Sequence, residues 1–383
     1  MRIAINAWFL DRPDTGSGQY LHGLLRAMPE VAAEDDLLLV VPYPKPDLTM
    51  PGLRAEVWSF PVRTTRPGIR QLGKVWFEQV LFPRACQKWD ADVAHVPYWG
   101  SPLWSAIPTV VTIHDLIPML LPAYRGNMGV RLYTWLVTQS ARRAVAIVTD
   151  SLASQRDIET HLKPPLPPVY CIYLAAGEAF GPEPCREDDA VRQFYGLPER
   201  YILYLAGHDV RKNVAGLLRA FAIVARADSE VTLVVGGKLP ARHKLPLVDP
   251  QPLVQELDLT DRVRFIGWVE EDHKPALYRG AVCAVFPSRY EGFGLPILEA
   301  LGCGTPLVTS NASSLPEIIG DAGFVVDPDD ERSLAGAILS CLVDDSLVAE
   351  LRRRGPQQAA KFSWAKAAQE TLAVYRKVAR CAS

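Results

Sequence analysis

The stretch FPSRYEGFGLPILEALGCGTPLVTSNASSLPE, from Phe286 to Glu317, alternates short apolar runs with glycine-rich turns. It predicts the end of a strand, a polar loop, a glycine-rich turn, a helix, a second strand and another loop. Pro296 suits the first helical position, where its missing N–H costs nothing, and Gly304 suits the left-handed residue that ends a helix. The stretch therefore predicts one unit of an α/β domain.

Two glutamates flank the glycine-rich turn. Glu291 precedes the turn, and Glu299 stands in the first turns of the predicted helix. Backbone N–H groups at a helix start form a ready anion site, and a carboxylate beside it can hold the hydroxyls of a polar ligand. An ordinary βα turn whose carboxylate complements the helix dipole, worth about 0.3–1 kcal/mol, explains the same residues. The residues alone leave both interpretations open.

This stretch resembles the Glu-x7-Glu signature of glycosyltransferase family 4, whose members are retaining enzymes that use nucleotide-sugar donors. In that family the signature continues in the runs that stand here, GFGLP, EALGCGTP and SSLPE. The resemblance implies that Glu291 contacts the donor sugar and that Glu299 binds the ribose hydroxyls. The donor contacts that it implies in this stretch are Glu291, Gly292, Phe293, Gly294, Leu295 and Glu299.

Length and composition narrow the remaining possibilities. A chain of 383 residues with 49% hydrophobic residues is expected to form two domains with separate cores. A formal net charge of −2 gives no electrostatic case for a nucleic-acid partner. The seven cysteines form no CxxC pair, which favours reduced thiols over a zinc site or a disulfide framework.

The chain shows no targeting or membrane-spanning pattern. Its first residues, MRIAINAWFL, read as an apolar strand that is too short for a signal peptide. No apolar run approaches the roughly 18 residues of a membrane helix. We therefore expect a soluble, cytoplasmic protein, and peripheral contact with the inner face of a membrane stays open.

A glycine-rich loop follows the first predicted strand. Residues 2–9 read as a buried strand, and a helix from about Gln19 follows the loop that contains Gly16 and Gly18. Ligands bind at such loops in doubly wound sheets, although a simple tight turn would look the same. The resemblance places this loop near the donor phosphates, which makes Gly16 and Gly18 candidate donor contacts.

His114 follows a continuous β-branched run, TVVTI, from Thr109 to Ile113. Such a run is typical of a strand covered on both faces, so His114 should lie at the carboxyl edge of a parallel sheet. A histidine there can be purely structural. The pattern HDLIP resembles the family motif in which this histidine lies by the donor sugar. A further predicted strand ends in Asp150 and Ser151, a junction that faces the interdomain cleft in the family.

Two charged segments have competing interpretations. Asp90-Ala91-Asp92 could hold a divalent metal, but carboxylates capping a helix-to-strand turn are commoner, and the resembled family works without metal. We therefore predict no metal and no cofactor. The basic segment from Arg63 to Lys74 reads as a loop with a solvated face, with an acceptor or membrane-surface role as the alternative.

The second half carries two further candidate donor contacts. Arg211 and Lys212 stand just before a predicted helix, where cations oppose the dipole and either bind an anion or face solvent. In the family the RKN pattern binds the donor diphosphate. The resemblance also seats the nucleobase at Ile266, Gly267 and Trp268, where Trp268 either stacks on the base or covers the sheet.

Strand and helix alternate through both halves, which predicts an α/β fold of two doubly wound domains. The resemblance implies the GT-B architecture, in which two Rossmann-like domains face a central cleft and a C-terminal helix crosses back to the first domain. The predicted domains are an acceptor-side domain at 1–185, a nucleotide-sugar-binding domain at 186–361 and the returning helix at 362–383.

The implied function is transfer of a hexose, with retention, from a nucleotide diphospho-sugar to a hydroxyl of a glycan or lipid-linked acceptor. The implied catalytic residues are His114, Glu291 and Lys212. The patterns TGSGQY, HDLIP and VTDS resemble the mannosyltransferase branch that builds bacterial surface polysaccharides, which favours GDP-mannose. A UDP-glucose-type donor and a non-catalytic nucleotide-sugar-binding protein remain alternatives. An NAD oxidoreductase is disfavoured because Gly16 and Gly18 lack the third glycine of GxGxxG.

Overall fold

The computed structural model describes residues 1–44, 52–62, 67–240 and 245–382, with the side chains of 67–70 and 381–382 left out. The first four residues of the predicted basic segment, 63–66, therefore lie outside the described residues. The chain forms two compact units. Unit 1 is Met1–Leu174 together with the C-terminal segment from Ser363, and unit 2 is Ala175–Phe362.

Thirteen parallel strands build two sheets in the described residues, seven in unit 1 and six in unit 2. They are β1 (Arg2–Asn6), β2 (Asp36–Val41), β3 (Arg54–Ser59), β4 (Val93–Val96), β5 (Thr109–Thr112), β6 (Ala146–Thr149), β7 (Val169–Cys171), β8 (Tyr201–Leu205), β9 (Thr232–Gly236), β10 (Val263–Gly267), β11 (Cys283–Phe286), β12 (Leu307–Ser310) and β13 (Phe324–Val326).

The α-helices connect and cover the strands. They are α1 (Gly16–Val31), α2 (Pro67–Trp76), α3 (Phe82–Lys88), α4 (Ile117–Leu120), α5 (Met128–Ala141), α6 (Leu152–His161), α7 (Asp188–Phe194), α8 (Val214–Ala227), α9 (Gln251–Glu256), α10 (Lys274–Gly280), α11 (Leu295–Gly302), α12 (Leu315–Ile319), α13 (Glu331–Val343), α14 (Asp345–Ala359) and α15 (Trp364–Ala382). A π-helical turn, Phe77–Leu81, joins α2 to α3.

Both sheets have the doubly wound strand order that was predicted. The order is β3-β2-β1-β4-β5-β6-β7 in unit 1 and β10-β9-β8-β11-β12-β13 in unit 2. In each sheet the order reverses direction beside the first strand of the unit, which places the switch point next to β1 and β8. The central strands are buried along almost their whole length, because helices cover both faces.

The opening stretch folds as predicted into β11, a turn, α11 and β12. Helix α11 begins at Leu295, so Pro296 occupies its second position rather than the first. Gly304 follows the helix with a φ of +68°, the left-handed conformation that glycine adopts without steric cost. Among the described residues, no helix is both long and apolar enough to cross a bilayer.

The C-terminal helix belongs to unit 1, as the returning helix was expected to. Helix α15 packs along α1, and the two helices approach closely at Gly23. A Cβ atom added at Gly23 would lie 2.3 Å from the Trp364 ring, so only glycine fits this crossing.

Two local expectations differ from the structure. The sequence predicts a strand at 57–62, whereas the observed strand is β3 at Arg54–Ser59; Phe60 and Val62 beyond it still donate backbone hydrogen bonds to Val41 and Pro42. Part of the basic segment is helical, because α2 begins at Pro67, whose fixed φ suits a first helical position.

The contact-defined boundary between the units falls earlier than the predicted one. The chain passes into unit 2 at Ala175, whereas the sequence suggested 185/186. Segment 177–182 packs inside unit 2, because Arg279 donates to the Gly181 carbonyl and the Gly302 backbone lies against Phe180. The domain boundaries themselves stay a prediction.

We predict that Gly23→Ala lowers the free energy of unfolding by about 1–3 kcal/mol, because the added methyl group overlaps the Trp364 ring. Gly336→Ala is the matched control. Gly336 lies inside α13 with open space around its Cβ position, so the same change should raise stability by up to about 1 kcal/mol. Urea unfolding of both variants checks this, and a stable Gly23→Ala protein would contradict the close crossing.

Candidate active site

Glu291 lies in the loop after β11, and two serines after β12 hold that loop in place. The Ser313 hydroxyl donates to the Glu291 carbonyl oxygen. The Ser314 hydroxyl donates to the Phe293 carbonyl oxygen and also lies 3.1 Å from the Glu291 carbonyl oxygen. The SSLPE run therefore has a structural reason at this place, which the sequence alone did not reveal.

The Glu291 carboxylate is paired with both predicted cations. Lys212 Nζ lies 2.6 Å from Glu291 Oε1, and Arg211 Nη1 lies 2.6 Å from Glu291 Oε2. Burial raises the pKa of Glu291, but Lys212 and Arg211 outweigh burial and lower it to about 2. The carboxylate is therefore ionised at neutral pH and held in one geometry.

The turn after β8 delivers the two cations to this carboxylate. Val210–Lys212 form a 3₁₀ turn, and Asn213 follows with a φ of +56°. The Asn213 side chain caps α8 by accepting from Gly216 N and donates to the Pro328 carbonyl oxygen at 2.7 Å. Arg211 has a second carboxylate, Asp209, with Nε 3.2 Å from Oδ1. The RKN run thus fixes the backbone positions from which the Arg211 and Lys212 side chains extend.

The turn between the two glutamates leads directly into α11. Gly294 caps the helix with a φ of +124°, a conformation that L side chains rarely adopt. Gly292 and Phe293 are buried, and Leu295 is partly buried. The first N–H groups of α11 lack helical partners, as at every helix start, so this end of α11 can accept an anion.

Glu299 has surroundings quite different from those of Glu291. It is buried on α11, where Glu299 Oε2 accepts from the Tyr278 hydroxyl at 3.1 Å and Lys274 Nζ lies 3.9 Å from Oε1. Burial raises the pKa of Glu299, and Lys274 offsets only part of that effect. The sequence indicated Glu299 but gave no signal for Lys274.

The predicted nucleobase contacts lie at the end of β10. Gly267 has a φ of +71° with open space at its Cβ position, and its carbonyl oxygen accepts from Gly237 N at 2.7 Å. Ile266 is partly buried beside it. Trp268 is 49% exposed, so about half of this residue is open to solvent, and its role as a stacking partner of the base stays a prediction.

His114 lies at the carboxyl edge of the unit 1 sheet, as predicted. Its Nδ1 lies 2.6 Å from Asp150 Oδ2, its Nε2 lies 3.3 Å from the Pro97 carbonyl oxygen, and its ring meets Tyr20 edge-on at 5.0 Å. Burial lowers the pKa of His114, but the Asp150 carboxylate outweighs it and the pKa lies above the ordinary value. Two acceptors on the two ring nitrogens favour the doubly protonated ring.

Gly16 and Gly18, expected in a loop before a helix from about Gln19, instead form the first turn of α1, which begins at Gly16 and is capped by Thr15. The Thr15 hydroxyl accepts from Gly18 N at 3.2 Å, and a Cβ at Gly18 would lie 1.8 Å from the Arg12 carbonyl oxygen. Gly18 is therefore required by backbone packing alone. Gly16 has no neighbour within 4 Å of its Cβ position, so packing does not explain it and its role as a donor contact stays a prediction.

The aspartates of the DAD triplet have structural partners. Asp92 Oδ2 accepts from Arg2 N at 2.7 Å, which ties the triplet to the start of β1. Asp90 has a φ of +49° and lies 4.0 Å from the Arg2 guanidinium. Within the described part of the chain, no group of three or more His, Cys, Asp or Glu side chains could hold a metal ion.

Two family models match most of the chain between them. The model described as "Glycosyl transferases group 1" matches residues 187–361. The model described as "Glycosyl transferase 4-like domain" matches residues 15–172. The two matches fall in unit 2 and unit 1, respectively.

Individual relatives agree with these models. The O-antigen chain mannosyltransferase B of Escherichia coli is 34% identical over 278 residues, 70% of each chain. The MMP alpha-(1->4)-mannosyltransferase of Mycolicibacterium hassiacum is 28% identical over 430 aligned residues, 100% of each chain. The crystal structure of HepE from Anabaena in complex with UDP-glucose has a TM-score of 0.72 at 18% identity, covering 98% of this chain and 100% of that one. The fold is therefore the GT-B architecture that the sequence predicted.

We predict that Asp150→Asn lowers the pKa of His114, because the neutral amide no longer stabilises the protonated ring. NMR titration of the His114 ring protons measures this shift. An unchanged midpoint would contradict the ion pair.

The same pair predicts a pH-dependent stability. A raised folded-state pKa means that the pair stabilises the fold below the ordinary histidine pKa and that this stability is lost as pH rises through the raised value. His114→Gln should therefore cost more stability at about pH 5 than at about pH 9. The exposed His161→Gln serves as the control and should change stability little at either pH.

Proposed function

The chain belongs to the group 1 glycosyltransferase family, and we propose that it transfers a hexose, with retention, from a nucleotide diphospho-sugar to a hydroxyl of a glycan or lipid-linked acceptor. The observation that carries this proposal is the cluster of Lys212, Arg211 and Glu291 in unit 2. It joins two cations and an ionised carboxylate beside the start of α11, which suits a diphosphate attached to a sugar.

The cations have one role in this reaction. The departing diphosphate develops negative charge, and Lys212, Arg211 and the backbone N–H groups at the start of α11 stabilise that charge. Glu291 and Asp209 hold the two cations in place before the donor arrives. Positioning donors in advance avoids reorganisation during the reaction, which is why such a site accelerates transfer.

The carboxylate has a different role. A pKa of about 2 makes Glu291 a weak base at neutral pH, so it is poorly suited to remove the acceptor proton. We assign it to the hydroxyls of the donor hexose, and His114 contacts the same sugar. The proton of the acceptor hydroxyl then passes to the leaving phosphate on the same face of the sugar, which accounts for retention without a covalent intermediate.

Substitutions of the two signature glutamates should affect different quantities, nucleotide affinity for Glu299 and turnover for Glu291. Glu299→Gln removes a charged contact to ribose, so the free energy of GDP binding should weaken by roughly 1.5–3 kcal/mol, which is about a 10- to 150-fold loss of affinity. Glu291→Gln should reduce turnover while GDP affinity stays nearly constant. Calorimetry with GDP measures the affinity, and initial rates with GDP-mannose measure the turnover. Both assays contain excess chelator, because we propose that the reaction needs no metal.

Glu350→Gln is the control for these variants. Glu350 is a partly exposed carboxylate of α14 that pairs with Arg353 and Arg354, so its loss removes the same charge from unit 2 without touching the site. It should leave GDP affinity and turnover unchanged. Equal GDP affinity in Glu299→Gln and wild type would remove Glu299 from the nucleotide site, and full turnover in Glu291→Gln would remove Glu291 from the reaction.

For the donor we propose GDP-mannose. The names of the two mannosyltransferase relatives support mannose, whereas the HepE complex with UDP-glucose favours a UDP-glucose-type donor as the second candidate. The half-exposed Trp268 ring beside Gly267 offers a stacking face for the base.

Because a purine has the larger face, GDP should bind more tightly than UDP through added stacking area. Calorimetry with both nucleotides in one buffer tests the preference, and Trp268→Ala should narrow the difference. Tighter binding of UDP would replace mannose with a glucosyl or related UDP-linked donor.

A further inference from the structure

Lys74, near the end of α2, is surrounded by aromatic rings. Its Nζ lies 4.8 Å from the ring centroid of Tyr133, 5.0 Å from that of Tyr98 and 5.7 Å from that of Phe9. The Lys74 side chain is 23% exposed, so it is not completely enclosed by these rings. The rings come from the loop after β1, the loop after β4 and helix α5, so the tertiary fold builds the arrangement.

A buried carboxylate lies beneath this ammonium group. Glu78 is 0% exposed, and its Oε1 lies 3.5 Å from Lys74 Nζ. The Tyr133 hydroxyl donates to Glu78 Oε1 at 2.9 Å. Burial raises the pKa of Glu78, and Lys74 and Tyr133 counteract that effect. A Cβ at Gly100 would lie 2.7 Å from Glu78 Oε1, so the loop approaches the carboxylate closely.

This arrangement is costly for a purely structural contact. Burying a carboxylate and an ammonium group removes them from water, and well-packed apolar residues of similar volume often give equal or greater stability. Glu78 also lies in the π-helical turn, an irregularity that interrupts the run from α2 to α3 and that recurs at functional sites. A ligand role for Lys74 would explain why the pair is present here.

The cluster lies on the edge of the sheet where doubly wound domains bind ligands. Phe9 follows β1 and Tyr98 follows β4, so both rings stand just beyond the carboxyl ends of parallel strands. His114 follows β5 on the same edge, and its Nε2 lies 3.3 Å from the carbonyl oxygen of Pro97, the neighbour of Tyr98. Lys74 and His114 are therefore linked through one loop of unit 1.

We propose that Lys74, Phe9 and Tyr133 form a subsite for an uncharged sugar ring of the acceptor. The subsite rests on the proposed function and names the class of acceptor. Glu78 lies too deep to touch a ligand and is a positioning residue for Lys74 and Tyr133.

The chemistry of the cluster selects this class of ligand. An ammonium group has three N–H donors, of which the Glu78 carboxylate takes one, and the others can donate to sugar hydroxyls. Phe9 and Tyr133 are partly exposed and offer apolar faces to the C–H side of a pyranose. Because Glu78 offsets the charge of Lys74, the subsite should prefer a neutral glycoside to a phosphorylated one.

The first experiment uses methyl α-mannoside and mannose 6-phosphate as probes. Ligand-observed NMR titrations with the full chain should show binding of methyl α-mannoside, weaker binding of mannose 6-phosphate, and at least a tenfold loss of affinity for the neutral glycoside in Lys74→Met. Lys88→Met is the matched control. Lys88 is exposed on α3 with its Nζ 5.6 Å from the Trp58 ring, and its loss should leave binding unchanged.

The second experiment separates a positioning role from a structural one. Tyr133→Phe keeps the ring but removes the hydroxyl that donates to Glu78, so the KM for methyl α-mannoside should rise several-fold with little change in kcat or in GDP affinity. This variant also keeps the test decisive if Lys74→Met does not fold. A structural role alone would lower stability without this selective rise in KM.

The outcomes distinguish the subsite from the donor proposal. Absence of glycoside binding in wild type, preference for mannose 6-phosphate, or wild-type affinity in Lys74→Met would each overturn the subsite. Glycoside binding that depends on Lys74, in a protein that transfers nothing from GDP-mannose, would support the subsite and overturn the donor assignment alone.

Discussion

An ionised carboxylate can be buried only where cations and hydrogen-bond donors replace the lost water, and Glu291 imposes this condition on unit 2. Its two cations come from the turn after β8, and Arg289 N next to the Glu291 loop donates back to the Arg211 carbonyl oxygen at 2.6 Å. The serines after β12 hold the Glu291 backbone from a third direction. Three loops are therefore held together around one carboxylate. Removing one partner of such a buried pair leaves an uncompensated charge, which typically costs about 3–5 kcal/mol.

Unit 1 follows the same rule with different residues. His114 is paired with Asp150, and Glu78 is paired with Lys74 and Tyr133. In each pair one member is almost completely buried and the other reaches the surface. The buried partner fixes the orientation of the exposed one, and this is how a fold prepares a polar side chain for a ligand before the ligand arrives.

The sequence predicted the features that local chemistry determines. Gly304 in its left-handed conformation, the strand before His114 and the cations beside Asn213 all lie where the pattern placed them. The side-chain pairs between residues far apart in sequence could not be predicted, because the periodicity of one segment carries no information about its tertiary neighbour. Asp150 lies 36 residues from His114, and Tyr133 lies 55 residues from Glu78. The π-helical turn was equally hidden, since its 77–81 segment reads as ordinary helix.

The Glu-x7-Glu signature contains two identical side chains that the fold makes chemically different. Lys212 and Arg211 at 2.6 Å hold the pKa of Glu291 far below the ordinary value, whereas burial beside Tyr278, with Lys274 as far as 3.9 Å away, raises the pKa of Glu299. Glu291 is therefore charged at neutral pH, and its side-chain partners include the two cations Lys212 and Arg211. Glu299 lies on α11, where its carboxylate has fewer close partners. We propose that two hydroxyls of a ribose supply the missing hydrogen bonds. The spacing of eight positions places one glutamate in the loop and the other on α11. That difference in surroundings, not in residue type, is the reason why we propose that they bind different parts of the donor.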